Sequence, residues 1–452
     1  MKRKMTRTLS LILTVLMLVS AFSVITLADT PAFLTDYADP TGTIKNSAYL
    51  YAPSLVGNVG DEYLAEWEGT TYSFEIGVNA FATLDEIFEA AITNPNVGDY
   101  PQILFPAGEY TTRLDINQGC EIYGSNWNTN PSITTPTDYT GDWEENPEWA
   151  ANGETIMSGP IVVGAQLTGY LSIMGITMNC RFYDTQRGVS GAGTEIILKN
   201  ILVNHTTALG SDGIPAPSGT FSNDRYVFSF QNYNNFNTTA SASVNKDSVE
   251  LINMRVKRIR TADSNRLIHE YIPPYFTIDG MYIDRSECGL ATFSFFKVSQ
   301  YLPDAKLTIK NSNFRNMNTS ITAEAYNKEA IGTLEGQTNE IEVCNNLFYD
   351  CGTVYILNLY THGFSKVNIH HNNFFTTYET VNTPFMSNGT LNDVDLTDVV
   401  SFTYNRVIGC TRTDYEIANS NDRSNASVDM TGCYLDTNEY DANSASKTEG
   451  AG

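Results

Sequence analysis

Cysteine is scarce in this chain, and basic charge is scarcer than acidic charge. Seven cysteines in 452 residues are too few, and odd in number, for a disulfide scaffold, so most are expected to pack as small apolar core residues. No Cys-x-x-Cys or His/Cys zinc spacing occurs, and the five histidines are scattered apart from the neighbours His370 and His371. Lys and Arg number 27 against 51 Asp and Glu, a net charge of −24, which excludes general nucleic-acid binding. Charged residues make up only 17% and aromatics 12%, so intrinsic disorder is excluded for most of the length. Beyond Leu27 no apolar run is long enough to span a bilayer.

The one long apolar run lies at the start. Lys2, Arg3, Lys4 and Arg7 precede Leu9–Leu27, and Thr26-Leu27-Ala28 closes the run with a small-x-small pattern. This reads as a secretory leader cleaved after Ala28, with an uncleaved anchor as the alternative. Cleavage removes four basic residues and no acidic one, for a mature net charge of about −28. A secreted, extracellular or surface-held protein is expected, monomeric and without a membrane span once the leader is gone.

One internal repeat accounts for most of the remainder. Apolar-x-Asn/Gly-x-x-apolar segments end at Met178, Val203, Val256, Ile283, Phe314, Phe348, Phe374, Val407 and Leu435. The steps are 25 to 34 residues apart from one of 53, which is one repeat with a long excursion or two repeats. Each unit opens with alternating apolar residues, such as Val249/Leu251, Leu307/Ile309 and Val367/Ile369, the period of a half-buried strand. The leucine-rich consensus is absent and the units are too short for four-stranded blades, so coils of three strands fit best. Three residues before the last apolar position stand Gly175, Asn200, Asn253, Gly280, Asn311 and Asn345, and one residue later Asn346, Asn372 and Asn405 fall in line. Glycine and asparagine tolerate left-handed backbone, and stacked asparagine amides bond from coil to coil, so an asparagine ladder is predicted at this bend. Thr83-Leu84-Asp85-Glu86 is a capping box opening a helix with Leu84, Ile87, Phe88 and Ala91 on one face, a plug for the first coil. The expected layout is a leader over 1–28, an extension over 29–80, the repeat with its cap helix over 81–437 with insertions near 125–160 and 206–247, and a flexible tail over 438–452.

The helix, the following Ile103-Leu104-Phe105-Pro106-Ala107-Gly108-Glu109-Tyr110 and the Ile122-Tyr123-Gly124-Ser125-Asn126 segment resemble the opening of the pectate-lyase-like superfamily. The coils resemble its repeat from about Thr83 to Asp436. The resemblance implies an all-β, right-handed parallel β-helix, a fold that carries lyases, hydrolases, esterases and non-catalytic surface proteins. The adjacent-aspartate and Gly-His-Gly signatures of the hydrolases are absent, and in Gly352-Thr353-Val354-Tyr355 a tyrosine stands where the esterases need an acid. A lyase without a compact motif survives these tests, because β-elimination needs only a base for the proton beside a carboxylate and a cation for the developing charge.

In such proteins the groove lies on the strand preceding the asparagine-turn strand, here Tyr226–Gln231, Arg266–Glu270, Thr292–Lys297, Ile321–Tyr326 and Tyr355–Tyr360. The candidate catalytic residues are Lys297 as base and Arg266 as carboxylate clamp, with His269 and Tyr326 beside them. Glu270 and Glu324 are candidate Ca²⁺ ligands. Trp127, Trp143, Trp149, Arg258 and His362 are candidate substrate contacts, the tryptophans for stacking on sugars and Arg258 as part of the basic run Arg255, Lys257, Arg258, Arg260, Arg266. The ordinary alternative for the polar residues is solvent-facing cross-coil ion pairs, and for the tryptophans a loop packed on the flank of the solenoid. The expected function is binding of an acidic, uronate-containing polysaccharide, with cleavage by elimination as its possible chemistry. A non-catalytic surface or adhesion module on the same solenoid is the alternative.

Overall fold

The structure, a computed structural model, describes residues 48–67, 70–94, 100–133, 145–151, 153–164, 167, 169–184, 193–206, 226–230, 247–259, 266–268, 273, 275–288, 294–300, 306–317, 319–325, 340–351, 355–360, 366–376, 383–388, 400–408, 416–418 and 431–436. The expected leader, most of the 206–247 excursion and the tail lie outside these residues. No described helix is long and apolar enough to cross a membrane.

Strands recur in threes along the chain. In one repeat Tyr275–Asp279 is followed by a bend at Gly280, a short strand Tyr282–Asp284 and a third strand Ser294–Gln300. The next repeat supplies Lys306–Lys310, Asn313–Arg315 and Thr319–Ala325, and each pairs in parallel with its counterpart one repeat earlier. Propagated along the chain, first and second strands form a 21-stranded sheet and third strands a separate ten-stranded one. First and second strands share a sheet because Glu195–Asn204 and Ser248–Arg258 run through the bend without a break. The chain is therefore all-β with long parallel sheets, an arrangement compatible with an all-β solenoid.

All nine apolar positions of the sequence repeat fall in one register column. Met178 pairs with Val203, Val203 with Val256, and so on through Ile283, Phe314, Phe348, Phe374 and Val407 to Leu435. Val203 lies directly beside Val256, so the 53-residue step is a single repeat with an excursion. From Met178 to Val407 the column packs inward with the other alternating apolar residues as one continuous cluster. Within it the Phe314, Phe348 and Phe374 rings stack at 5.3 and 4.9 Å between centroids, 14° and 7° from parallel.

The bend column is more regular than the asparagines suggest. The positions three before the apolar column are all left-handed, with φ of 50–73° at Gly175, Asn200, Asn253, Gly280, Asn311, Asn345, His371, Tyr404 and Gly432. Asn346, Asn372 and Asn405 do not continue this column. They form a second, buried one, in which the Asn346 and Asn372 backbone N–H groups donate to the next residue's Oδ1 at 3.0 and 2.9 Å. Their Nδ2 groups donate to Ile309, Val343 and Ile369 carbonyls, and the Ser312 N–H donates to Asn346 Oδ1 at the other end. Gly175 is forced by space as well as by φ, since a Cβ there would lie 1.9 Å from the Trp127 nitrogen.

At the N-terminal end the helix Leu84–Thr93 forms with both halves of its capping box made. The Glu86 N–H donates to Thr83 Oγ1 at 3.3 Å and the Thr83 N–H to Glu86 Oε2 at 3.1 Å. Leu84, Ile87 and Phe88 join the interior cluster, so the helix covers the first repeat as expected. The sheet itself begins earlier than residue 81. Tyr49–Tyr51 pairs with Ala80–Phe81 on one side and Gln102–Phe105 on the other. Between them an antiparallel hairpin, Glu62–Trp67 with Thr70–Glu75, lays Ala65, Trp67, Tyr72 and Phe74 over the outward residues Leu50, Leu104, Tyr123 and Met174. These outward residues are apolar because they are covered. Further along the same register row the residues are Lys199, Ile252, Asp279, Lys310, Cys344 and His370, mostly polar or half-buried.

Candidate functional site

The five strands read as a groove from sequence lie in one parallel sheet in the order expected. Tyr226–Phe230, Arg266–Ile268, Ser294–Gln300, Thr319–Ala325 and Tyr355–Tyr360 are consecutive neighbours. Ile268, Phe296, Ile321 and Leu357 form one row across them, and Ile268 and Leu357 are buried. Lys297 follows that row and stands level with Thr322, while Glu324 stands level with Ser299 and Tyr360. Lys297 and Glu324 therefore occupy adjacent strands two positions apart, with backbones about 8 Å apart by standard strand spacings. Arg266 lies on the neighbouring strand on the other side of Lys297, level with Tyr226. His269, Glu270, Tyr326, His362 and Trp143 lie outside the described residues.

The other candidates are placed differently. Trp127 is buried, edge-on to Tyr123 at 5.7 Å under the hairpin, and Trp149 is buried with its Nε1–H donated to Glu154 Oε1 at 3.0 Å. Neither ring presents a face to a sugar. The Asn126–Trp127 backbone passes against Gly175, and the indole packs with Leu104, Tyr123 and Met174 under the hairpin. Of the basic run, Arg260 lies outside the described residues, and the side chains of Arg255, Lys257 and Arg258 have different surroundings. Arg255 is buried, its guanidinium 4.9 Å from the Tyr282 ring centre and 3.4 Å from Glu287. Lys257 pairs with Glu145 at 2.5 Å, and Arg258 ends its strand exposed to solvent, away from the ten-stranded sheet. The charge that looked available for a polyanion is in part spent inside the protein.

Two features were not read from the sequence. The first is a cleft of about 660 Å³ between the hairpin and the first repeats, lined by Tyr51, Tyr63 and Tyr110 together with Glu66 and Glu109. Tyr51 and Tyr110 stack at 5.8 Å, and the Tyr110 hydroxyl donates to the Pro106 carbonyl at 3.0 Å. Burial raises both phenols above their ordinary values, so they stay protonated donors.

The second feature lies on the outward face of the 21-stranded sheet. Glu342 and Cys344 belong to one strand, Glu340–Cys344, and His370 to the strand beside it, Lys366–His370, level with Cys344. One ligand atom from each lies within 4.8 Å of the others. Lys306 reaches Glu342 Oε2 at 3.2 Å, and His370 Nε2 stands 3.6 Å from Glu342 Oε1. Partial burial alone would raise the Glu342 carboxyl, but the hydrogen bonds and charges of Lys306 and His370 more than offset it and hold it low. Burial, with the Glu342 charge, pushes the Cys344 thiol up. The sequence signal for this cluster was the spacing of Cys344 and His370, 26 residues, which equals the local repeat step from Phe348 to Phe374.

No family model, curated protein or solved structure matches this chain.

Proposed function

We propose that this protein is an exported, right-handed parallel β-helix of the pectate-lyase-like kind whose ten-stranded sheet binds a uronate-containing polysaccharide and cleaves it by β-elimination. The handedness rests on the rule that parallel crossovers within a sheet turn right-handed in about 98% of cases. The observation that carries the site is the register of the ten-stranded sheet. Arg266, Lys297 and Glu324 stand on three adjacent strands of that sheet, Glu324 two positions beyond Lys297 and Arg266 three positions before it. In this reading Arg266 binds the substrate carboxylate and stabilises the charge that develops on it. Lys297 in its neutral form takes the proton beside that carboxylate. The C–O bond to the leaving sugar breaks as the new double bond forms, and a proton is returned to the leaving oxygen. His269 and Tyr326 are the candidates for that return. Of the two expected Ca²⁺ ligands only Glu324 is described, so no step is routed through a metal.

A second reading, a non-catalytic binding module, is favoured by the cleft beside the hairpin, where the half-buried Tyr63 ring and the exposed Glu66 and Glu109 carboxylates suit a neutral sugar. One experiment separates the two. The mature protein is incubated with a panel of uronate polysaccharides, with Ca²⁺ or with chelator, while ultraviolet absorbance follows the unsaturated product and sedimentation follows binding. A rise in absorbance that Lys297→Ala abolishes without loss of binding supports the lyase. Binding without a rise selects the module, and neither signal from folded protein overturns both.

A further inference from the structure

We infer that Glu342, Cys344 and His370 form a binding site for a borderline divalent cation of the Zn²⁺ class, on a face of the protein separate from the ten-stranded sheet. The donor set decides the class. A thiolate and an imidazole select Zn²⁺, Co²⁺ or Cu²⁺, whereas Ca²⁺ and Mg²⁺ require shells of oxygen.

The distances are compatible with closure on a metal. Ligand bonds of 2.0–2.3 Å at tetrahedral angles set donor atoms roughly 3.3–3.8 Å apart. His370 Nε2 and Glu342 Oε1 already stand at 3.6 Å, and none of the three donors is more than 4.8 Å from another, so side-chain rotations of about 1 Å complete the set. The backbone need not move, because parallel pairing holds Cys344 level with His370 and Glu342 sits two residues back on the Cys344 strand. Three protein ligands leave a fourth position for water, the pattern of an open site.

The surroundings prepare the histidine. His370 Nδ1 lies 2.9 Å from His371 Nδ1. In the metal-bound form His370 Nδ1–H donates to His371, which leaves the Nε2 lone pair directed to the Glu342 side. His371 is itself held by stacking on Tyr404, 5.2 Å between ring centres and 18° from parallel. It also stands at a left-handed bend position, φ 56°, where most other repeats place Asn or Gly. A residue that departs from the local rule beside a cluster of donors fits a positioning role. Binding displaces the Cys344 thiol proton to solvent and releases Lys306 from Glu342.

The test uses the full chain with Co²⁺ as probe and Zn²⁺ as competitor. Wild-type protein should take up one equivalent of Co²⁺ with a near-ultraviolet thiolate-to-cobalt band that Zn²⁺ removes. Cys344→Ser should lose the band, and His370→Ala should lose stoichiometric uptake, with circular dichroism unchanged in both. His371→Gly keeps the left-handed bend and all three ligands, and should keep the band while affinity falls about ten- to a hundredfold. No band in the wild type, or uptake indifferent to Cys344→Ser and His370→Ala, overturns the site.

Discussion

The two bend columns differ in what each residue must supply. At the left-handed position the backbone conformation is shared but the side chain varies: Asn200 and Asn253 bond to each other from repeat to repeat, while His371 and Tyr404 stack ring on ring. One residue later the side chain sits between repeats without access to water, and a buried amide there has to satisfy both neighbours. Asn346 and Asn372 do so in full: Oδ1 accepts an N–H and Nδ2 donates to a carbonyl of the preceding repeat, while Nδ2 also donates to the Oδ1 of the asparagine in the following repeat. His205 poses the opposite problem, a titratable group sealed inside. Its Nε2–H donates to the Cys180 carbonyl at 3.1 Å, and burial lowers its pKa from 6.5 to about 4 against that bond. The unfolded chain therefore takes up a proton near pH 6.5, and the folded one only near pH 4. Stability from this residue is complete above pH 6.5 and is lost as pH falls toward 4. Between pH 7 and 5 the wild type should lose about 2 kcal/mol more than His205→Gln, which keeps the donor and cannot titrate. Urea midpoints at the two pH values check this, and equal losses would remove His205 as the cause.

Among the elements, the hairpin has the clearest physical rationale. A parallel sheet exposed on its outer face carries polar residues, yet Leu50, Leu104, Tyr123 and Met174 are apolar there. The hairpin resolves the conflict by covering them with Trp67, Tyr72 and Phe74. Trp67→Ala should cost about 3–5 kcal/mol locally and let water reach Trp127, seen as a red shift in tryptophan fluorescence. An unshifted spectrum would mean that the cover stays closed without its largest side chain. This hairpin was not legible in the sequence, because its short alternating strands resemble those of any loop extension. The cap helix was legible, because Thr83 and Glu86 announce a helix start by chemistry that needs no tertiary partner. The tryptophans were legible only as a local concentration, which fits a packed loop as well as a binding face; the burial of Trp127 and Trp149 favours packing for those two.

On the scale of the whole molecule, a stack has two ends and each repeat leans only on its neighbours. The first end carries the helix. At the other, among the described residues, Tyr434–Asp436 pairs on one side only, and Tyr404 and Tyr434 remain 56% and 44% exposed. Hydrogen exchange should therefore be fastest at Tyr434–Asp436, slower at Ile103–Phe105, and slowest around Leu251–Val256. A uniform rate along the chain would mean that the stack opens only as a unit. The repeat was readable because register converts sequence spacing into spatial columns. The candidate site was readable only as far as its strands, because which side chains meet across a sheet depends on loops that follow no period. The same register carries a lesson in tolerance. Val203 and Val256 remain side by side although 53 residues separate them, about twice the interval in the shortest repeat. Closing a loop of double length costs only about 0.6 kcal/mol. The strands thus behave as a ruled scaffold, and the bend after Asn204 as a mounting point where foreign sequence can be inserted without altering the ruling.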